Sequence, residues 1–206
     1  MLLAWTGAAS ASSLEVRVRT SANVPVEDAA IVLEPASKAP PRRAHATRAT
    51  HAMIEQLDRD FVPYMTIVQK GTPVDFPNHD PFKHHVYSFS PAKVFEIKLY
   101  GGKPVSPIVF DKTGEVVLGC NIHDWMAAHI LVVDTPWFAK TRADGTARID
   151  NLPAGSYSLR LWHPRQKTAA TKTTVLVGGA SRRLELGLEV APRAVVSKPP
   201  PDAASY

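Results

Sequence analysis

Gly119-Cys120-Asn121-Ile122-His123-Asp124-Trp125-Met126 sets the only cysteine of the chain, a histidine and a methionine at the spacing C-x2-H-x2-M. A thiolate, an imidazole and a thioether on one short loop make a soft nitrogen–sulfur donor set. Such a set suits copper better than calcium or magnesium. One further imidazole would complete a trigonal His2Cys arrangement with a weak axial methionine, the geometry of electron-transfer copper sites. The flanks, Glu115-Val116-Val117-Leu118 and Ile130-Leu131-Val132-Val133, are short runs rich in β-branched and aliphatic residues. Both read as buried strands, so the loop is held at each end by a sheet.

Candidate imidazoles lie upstream, in Phe76-Pro77-Asn78-His79-Asp80-Pro81-Phe82-Lys83-His84-His85-Val86-Tyr87-Ser88-Phe89. Neighbouring residues on a strand point to opposite faces, so His84 and His85 cannot easily face one metal together. Periodicity alone leaves open which of the two does. His79 is a third candidate, should the register differ.

These residues resemble the cupredoxins, the small blue-copper proteins. The C-x2-H-x2-M loop is similar to that of amicyanin and shorter than the plastocyanin loop. Phe82 and His84 fall on the Phe-x-His that carries the first copper histidine in plastocyanin. Phe61 to Phe76 resembles two family strands around a Gly turn. The resemblance covers roughly residues 50–135. It implies one type 1 copper bound by His84, Cys120, His123 and Met126. Two departures stand out: His85 occupies the place of the family's usual Asn, and Ile122 the place of a loop Pro. His85 and Asn121 are then candidates to link the two ligand-bearing segments, and the Ile122 N–H a candidate donor to the Cys120 sulfur. The family fold would surround His123 with Pro81, Phe82, Trp125 and Ala127 as an apolar docking patch. The implied role is a one-electron carrier without enzymatic chemistry, with redox proteins as partners. A methylamine-type dehydrogenase as donor and a c-type cytochrome as acceptor, in methylamine utilisation, are family analogies for those partners.

The rest of the chain reads as a second β module. Leu14 to Arg19 alternates apolar and polar residues, and Pro25-Val26-x-x-Ala29 leads into a strand ending at Leu33-Glu34. Asp144-Gly145 is a hairpin signal. Ser156 to Trp162 alternates with Tyr157, Leu159 and Leu161 on one face. Thr173–Val177 and Leu184–Val190 read as further strands. The run from Asp144-Gly145 through Leu152-Pro153-Ala154-Gly155-x-Tyr157-x-Leu159 resembles the carboxypeptidase regulatory-like, transthyretin-like sandwich. The expected fold is therefore all-β. A Greek-key cupredoxin sandwich or barrel (51–135) is inserted into a small immunoglobulin- or transthyretin-like sandwich split into 14–50 and 136–190. A single elongated β domain with added edge strands is the alternative. Residues 1–13 read as the remnant of a signal peptide ending in Ala9-Ser10-Ala11, or as a tail or first strand. Residues 191–206 read as a proline-rich disordered tail.

Composition narrows the function. The 206 residues are 45% hydrophobic and include 18 prolines and 11 glycines, which favours turns over long helices. No apolar run approaches the ~18 residues of a membrane span. A single cysteine rules out an intramolecular disulfide framework and a binuclear, dicysteine copper centre. In an exported protein, copper ligation would occupy that thiol, and a bacterial periplasmic or secreted monomer is expected. Copper storage or delivery, and an interaction module with structural copper, are the alternatives. The net charge of +5 is spread over Lys38, Arg42, Arg43, Arg48, Arg165, Lys167, Lys172, Arg182 and Arg183. It is not interleaved with aromatics as in single-strand nucleic-acid binders, so the chain is not read as a nucleic-acid binder. The charge suits encounter with an acidic redox partner. In stopped-flow electron transfer with such a partner, the association rate should fall steeply as added salt shortens the Debye length to ~8 Å. A salt-independent rate would assign docking to apolar contact alone.

Overall fold

The computed structural model describes residues 12–36, 51–104, 106–178 and 181–194. The signal-like start before Ser12, most of the Pro/Ala/Arg connector and the proline-rich end lie outside the described residues. The fold is all-β. In chain order the strands are β1 (Ser12–Arg19), β2 (Ala30–Pro35), β3 (Ala52–Met53), β4 (Glu55–Leu57), β5 (Asp60–Val62) and β6 (Met65–Gln69). Then come β7 (Thr72–Asp75), β8 (His84–Ser90), β9 (Lys93–Tyr100), β10 (Ile108–Phe110), β11 (Gly114–Gly119) and β12 (Ala127–Val133). The last are β13 (Phe138–Lys140), β14 (Thr146–Leu152), β15 (Gly155–Trp162), β16 (Thr171–Val177) and β17 (Arg182–Gly187). No helix among the described residues is long and apolar enough to cross a membrane.

Two compact units divide the chain. The first takes residues 1–46, Trp137–His163 and Thr168–Glu189; the second takes Thr47–Pro136, Pro164–Lys167 and the residues from Val190 onward.

The first unit has a β14-β1-β17 sheet and a β13-β2-β15-β16 sheet. Alternation in β1 buries Leu14, Val16 and Val18, and alternation in β15 buries Tyr157, Leu159 and Leu161. Each such side chain, fully buried, contributes about 1.5–3 kcal/mol. The Asp144-Gly145 turn is not a simple hairpin. β13 pairs with β2 and β14 with β1, so the turn carries the chain from one sheet to the other. Glycine is required there: φ is +77°, and a Cβ would lie 2.5 Å from the Val18 carbonyl oxygen.

In the second unit, a five-stranded sheet (β6-β12-β11-β8-β9) and a three-stranded sheet (β10-β7-β3) enclose one apolar cluster. Val86, Val116, Leu118, Ile130 and Val132 enter it from the larger sheet, and Val74 and Phe110 from the smaller. The Gly71 turn joins β6 to β7, which lie in different sheets. β12 is buried along most of its length, as its aliphatic run implied. β11 differs from expectation: it buries Val116 and Leu118 but leaves Val117 48% exposed, because only one face of this strand meets the core.

A basic cluster completes the second unit. The guanidinium carbon of Arg193 lies 4.3 Å and that of Arg165 5.9 Å from the centre of the Tyr64 ring. His129 packs edge-on to the same ring, with centroids 5.1 Å apart, and is not a fully solvated side chain. Burial, followed by the positive charges of Arg165 and Arg193, pushes its pKa down to about 4. The unfolded chain takes up this proton near pH ~6.5, whereas the folded chain resists it. Stability from this source is complete above that pH and is lost as pH falls toward 4. Thermal melts from pH 7 to 4 should therefore fall less steeply for His129→Phe, which keeps the ring contact, than for the unmutated protein. Parallel curves would contradict the buried neutral imidazole.

Candidate metal centre

The ligand loop closes between β11 and β12, whose ladder pairs Gly119 with Ala127. The Met126 N–H donates to the His123 carbonyl at 2.9 Å, folding the loop back on itself. That turn, the rigid strands on either side and the apolar cluster turn the Cys120 side chain inward. Cys120 is 3% exposed, His123 3% and Met126 1%. Cys120 and Met126 belong to the same apolar cluster.

The second segment arrives on β8. A register shift between His84 and Val86 against β9 marks a bulge, a device that re-aims side chains beside functional sites. It explains how consecutive histidines can both be buried, His84 fully and His85 at 5% exposure. His84 points its Nδ1 at the loop. His85 turns away, and its Nε2 lies 2.9 Å from Glu96 Oε1.

Three donor atoms converge. His84 Nδ1 and His123 Nδ1 are 3.1 Å apart, and Cys120 Sγ lies 3.8 Å from the first and 4.0 Å from the second. A point equidistant from all three lies about 2.1 Å from each, within the ~2.0–2.3 Å of nitrogen and sulfur bonds to a first-row metal ion. Among the described residues, this is the cluster of His, Cys and acidic side chains able to hold a metal. The donors fit a soft first-row ion: two imidazole nitrogens and one sulfur, buried, with a thioether residue on the same loop.

Electrostatics prepares the donors. Burial pushes the Cys120 thiol up, but His84 and the backbone N–H groups of His85, Ile122 and His123 outweigh it and hold the thiol below its ordinary value. The His85 side chain itself bonds Glu96. Burial disfavours a charged His84, yet the Cys120 sulfur and the Asp80 carboxylate raise its pKa. His123 is held low by burial, then by the neighbouring His84 and Arg59.

The link between the ligand segments differs from the one expected. Asn121 is exposed, and the His85 side chain is committed to Glu96, so neither makes a side-chain bridge. The partner of His84 is Asp80, whose Oδ2 lies 2.6 Å from His84 Nε2. Asp80 was not read from the sequence as part of the site. Its signal was an acidic residue four positions before the histidine, in a loop that Asn78 pins. The Asn78 side chain donates to the Phe82 and Tyr100 carbonyls at 2.9 and 3.0 Å and accepts from the Asp80 N–H at 2.9 Å.

Aromatic rings wall the site. Trp125 packs on His123 with centroids 5.0 Å apart, and Phe82 lies 5.2 Å from His84 and 5.8 Å from His123. Pro81 is exposed beside Phe82. Ala127, also expected in the docking patch, lines a cleft of about 480 Å³ that reaches Cys120 and Met126 and is bordered by Tyr87, Phe89 and Val117. That cleft opens where β11 and β8 share only the pair Gly119 and Tyr87. The Tyr87 ring lies so close over Gly119 that a Cβ there would meet it at 2.7 Å. Of the other histidines, His79 is exposed near Glu55, with 3.7 Å between Nε2 and Oε1.

No family model matches the chain, and no curated protein matches it. Solved structures are similar to it in part. A copper-containing nitrite reductase from Thermus scotoductus is 24% identical, with a TM-score of 0.40, over 50% of this chain and only 28% of the reductase. A purple cupredoxin from Nitrosopumilus maritimus is 21% identical, with a TM-score of 0.36, over 40% of this chain and 99% of that one. A reduced Cu(I) amicyanin variant is 14% identical, with a TM-score of 0.37, over 50% of this chain and 98% of that one.

The opposed directions of the two histidines make a direct test. His84→Gly should open a coordination position that added imidazole fills, restoring the metal-dependent absorption band. His85→Ala should keep the band, since its side chain bonds Glu96. Loss of the band in His85→Ala, with retention in His84→Gly, would reverse the assignment.

Proposed function

We propose that the chain is a type 1 copper protein that carries single electrons between redox partners. The observation that carries this reading is the buried triangle of two Nδ1 atoms and one Sγ, spaced for one ion and followed on the same loop by buried Met126. Bound there, copper would supply a reversible one-electron couple. His84, Cys120, His123 and Met126 would hold it.

The residues present suit transfer without bond chemistry. The donors sit on strand ends and a hydrogen-bonded loop, so they move little when charge changes. Burial of His84, Cys120 and Met126 would limit the access of water to an ion held there. Phe82 and Trp125 flank His123, and with exposed Pro81 beside Phe82 they give this imidazole an apolar cover. We assign docking to that cover, with the basic excess aiding encounter with an acidic partner. An oxidising compartment outside the cytoplasm, such as a bacterial periplasm, suits a lone cysteine occupied by metal. The first unit, a second β module, is proposed as a partner-binding or anchoring element.

Cu(II) titration followed by visible spectroscopy tests the centre. Intense thiolate-to-copper absorption should appear at one equivalent and vanish in Cys120→Ser, whose β-sheet circular dichroism should be retained. A mutant that still colours strongly would sink the assignment. Rapid reversible voltammetry supports the carrier, whereas ready passage of copper to a chelator would favour storage or delivery.

A further inference from the structure

The β4–β5 hairpin turns at Asp58 and Arg59, where Leu57 pairs with Asp60. Both turn residues have positive φ, 52° and 57°, as a two-residue type I′ turn requires. Glycine or asparagine would adopt that backbone most cheaply, yet arginine takes the second place. Residues kept in this region signal a use for the local geometry. Here the two successive N–H groups form a small anion-binding nest. The Asp58 N–H donates to Asp80 Oδ1 at 2.7 Å and the Arg59 N–H to Asp80 Oδ2 at 2.9 Å. Asp80 is thereby fixed on both oxygens, its side chain only 5% exposed, with Oδ2 against His84 Nε2. On the opposite side of the same residue, the Arg59 carbonyl accepts the Trp125 Nε1–H at 3.1 Å. The Trp125 ring is the one that packs on His123. One turn thus grips the surroundings of both imidazoles, through a carboxylate on one and an indole on the other.

We propose that Asp80, seated in the Asp58–Arg59 turn, is the positioning residue of the centre: it fixes His84 with Nε2 as hydrogen-bond donor and Nδ1 as open donor, and places a negative charge against the ligand set. A carboxylate only accepts, so the proton of the neutral imidazole resides on Nε2 and the Nδ1 lone pair faces Cys120 and His123. A carboxylate behind a ligating histidine increases its basicity and fixes its ring plane. Its charge favours the more oxidised ion, so it lowers the reduction potential. The inference rests on the copper reading for the potential, but the tautomer of His84 is a property of the chain alone.

The test therefore has a metal-free arm and a copper arm. At a pH where the His84 ring is neutral, nitrogen-15 NMR of the metal-free protein should show it in the Nε2–H tautomer, and in Asp80→Ala as a mixture with a mobile ring. Copper competition should show an affinity about 10–100-fold weaker in Asp80→Ala. Asp80→Asn, which keeps the shape and can still accept a backbone N–H, should retain the colour with a raised potential. Trp125→Phe should leave the His84 tautomer as it is, since it acts on the other imidazole. An Nδ1–H tautomer in the unmutated protein would overturn the proposal, and this result survives if the Asp80 variants fail to fold. Unchanged affinity and potential in both Asp80 variants, with full colour, would overturn it while leaving the copper centre standing. No colour in the unmutated protein would sink the copper reading instead, and the metal-free NMR would still decide the positioning.

Discussion

Two imidazole lone pairs and a sulfur aimed at one point inside an apolar core are the constraint around which the second unit is arranged. Groups of this kind are costly to bury without a partner, and their lone pairs repel one another. Left to themselves they would rotate outward. Strand ends, a hydrogen-bonded loop and packed rings prevent that, and the remaining cost is one that a cation at the centre would offset.

Each donor is restrained differently. Cys120 leaves the end of β11 directly into the core, and the Met126-to-His123 backbone bond closes the loop behind it. His123 is walled by Trp125 and Phe82. His84 depends on two devices, the bulge against β9 and the hydrogen bond to Asp80 four residues before it. Asp80 in turn depends on a hairpin more than twenty residues earlier in the chain, through bonds at sequence separations of 22 and 21. Burial pushes the Asp80 carboxyl up, but His84 and the N–H groups of Arg59 and Asp58 outweigh it and hold it below its ordinary value. The carboxylate therefore ionises more readily than burial alone would allow.

The cleft beside Gly119 shows the same sheet used in another way. β8 and β11 part beyond the single pair of Tyr87 and Gly119, and the Ser90 hydroxyl accepts the Val117 N–H at 2.8 Å where the ladder has opened. The side chain satisfies a backbone donor that would otherwise lack a partner. Phe89 at 79% exposure and Val117 at 48% border the opening.

What the sequence alone determined was local. Alternation in residues 14–18 and 157–161 specified which side chains are buried in β1 and β15, since a strand's period of two needs no knowledge of its partner. C-x2-H-x2-M between aliphatic runs put Cys120, His123 and Met126 on one tight loop, because three-residue spacings leave the chain little freedom. Tertiary structure decided the rest. The bulge that sends His84 to the centre and His85 to Glu96 depends on the register with β9, which no periodicity in β8 records. Asp144-Gly145 has a hairpin's sequence, but strand partners far along the chain make it a crossing between sheets. Asp80 and the Asp58–Arg59 turn look like ordinary loop residues until folding brings them against His84. Hydrogen bonds between distant segments come from the packing of whole sheets, and that packing leaves no mark in the short windows from which a sequence is read.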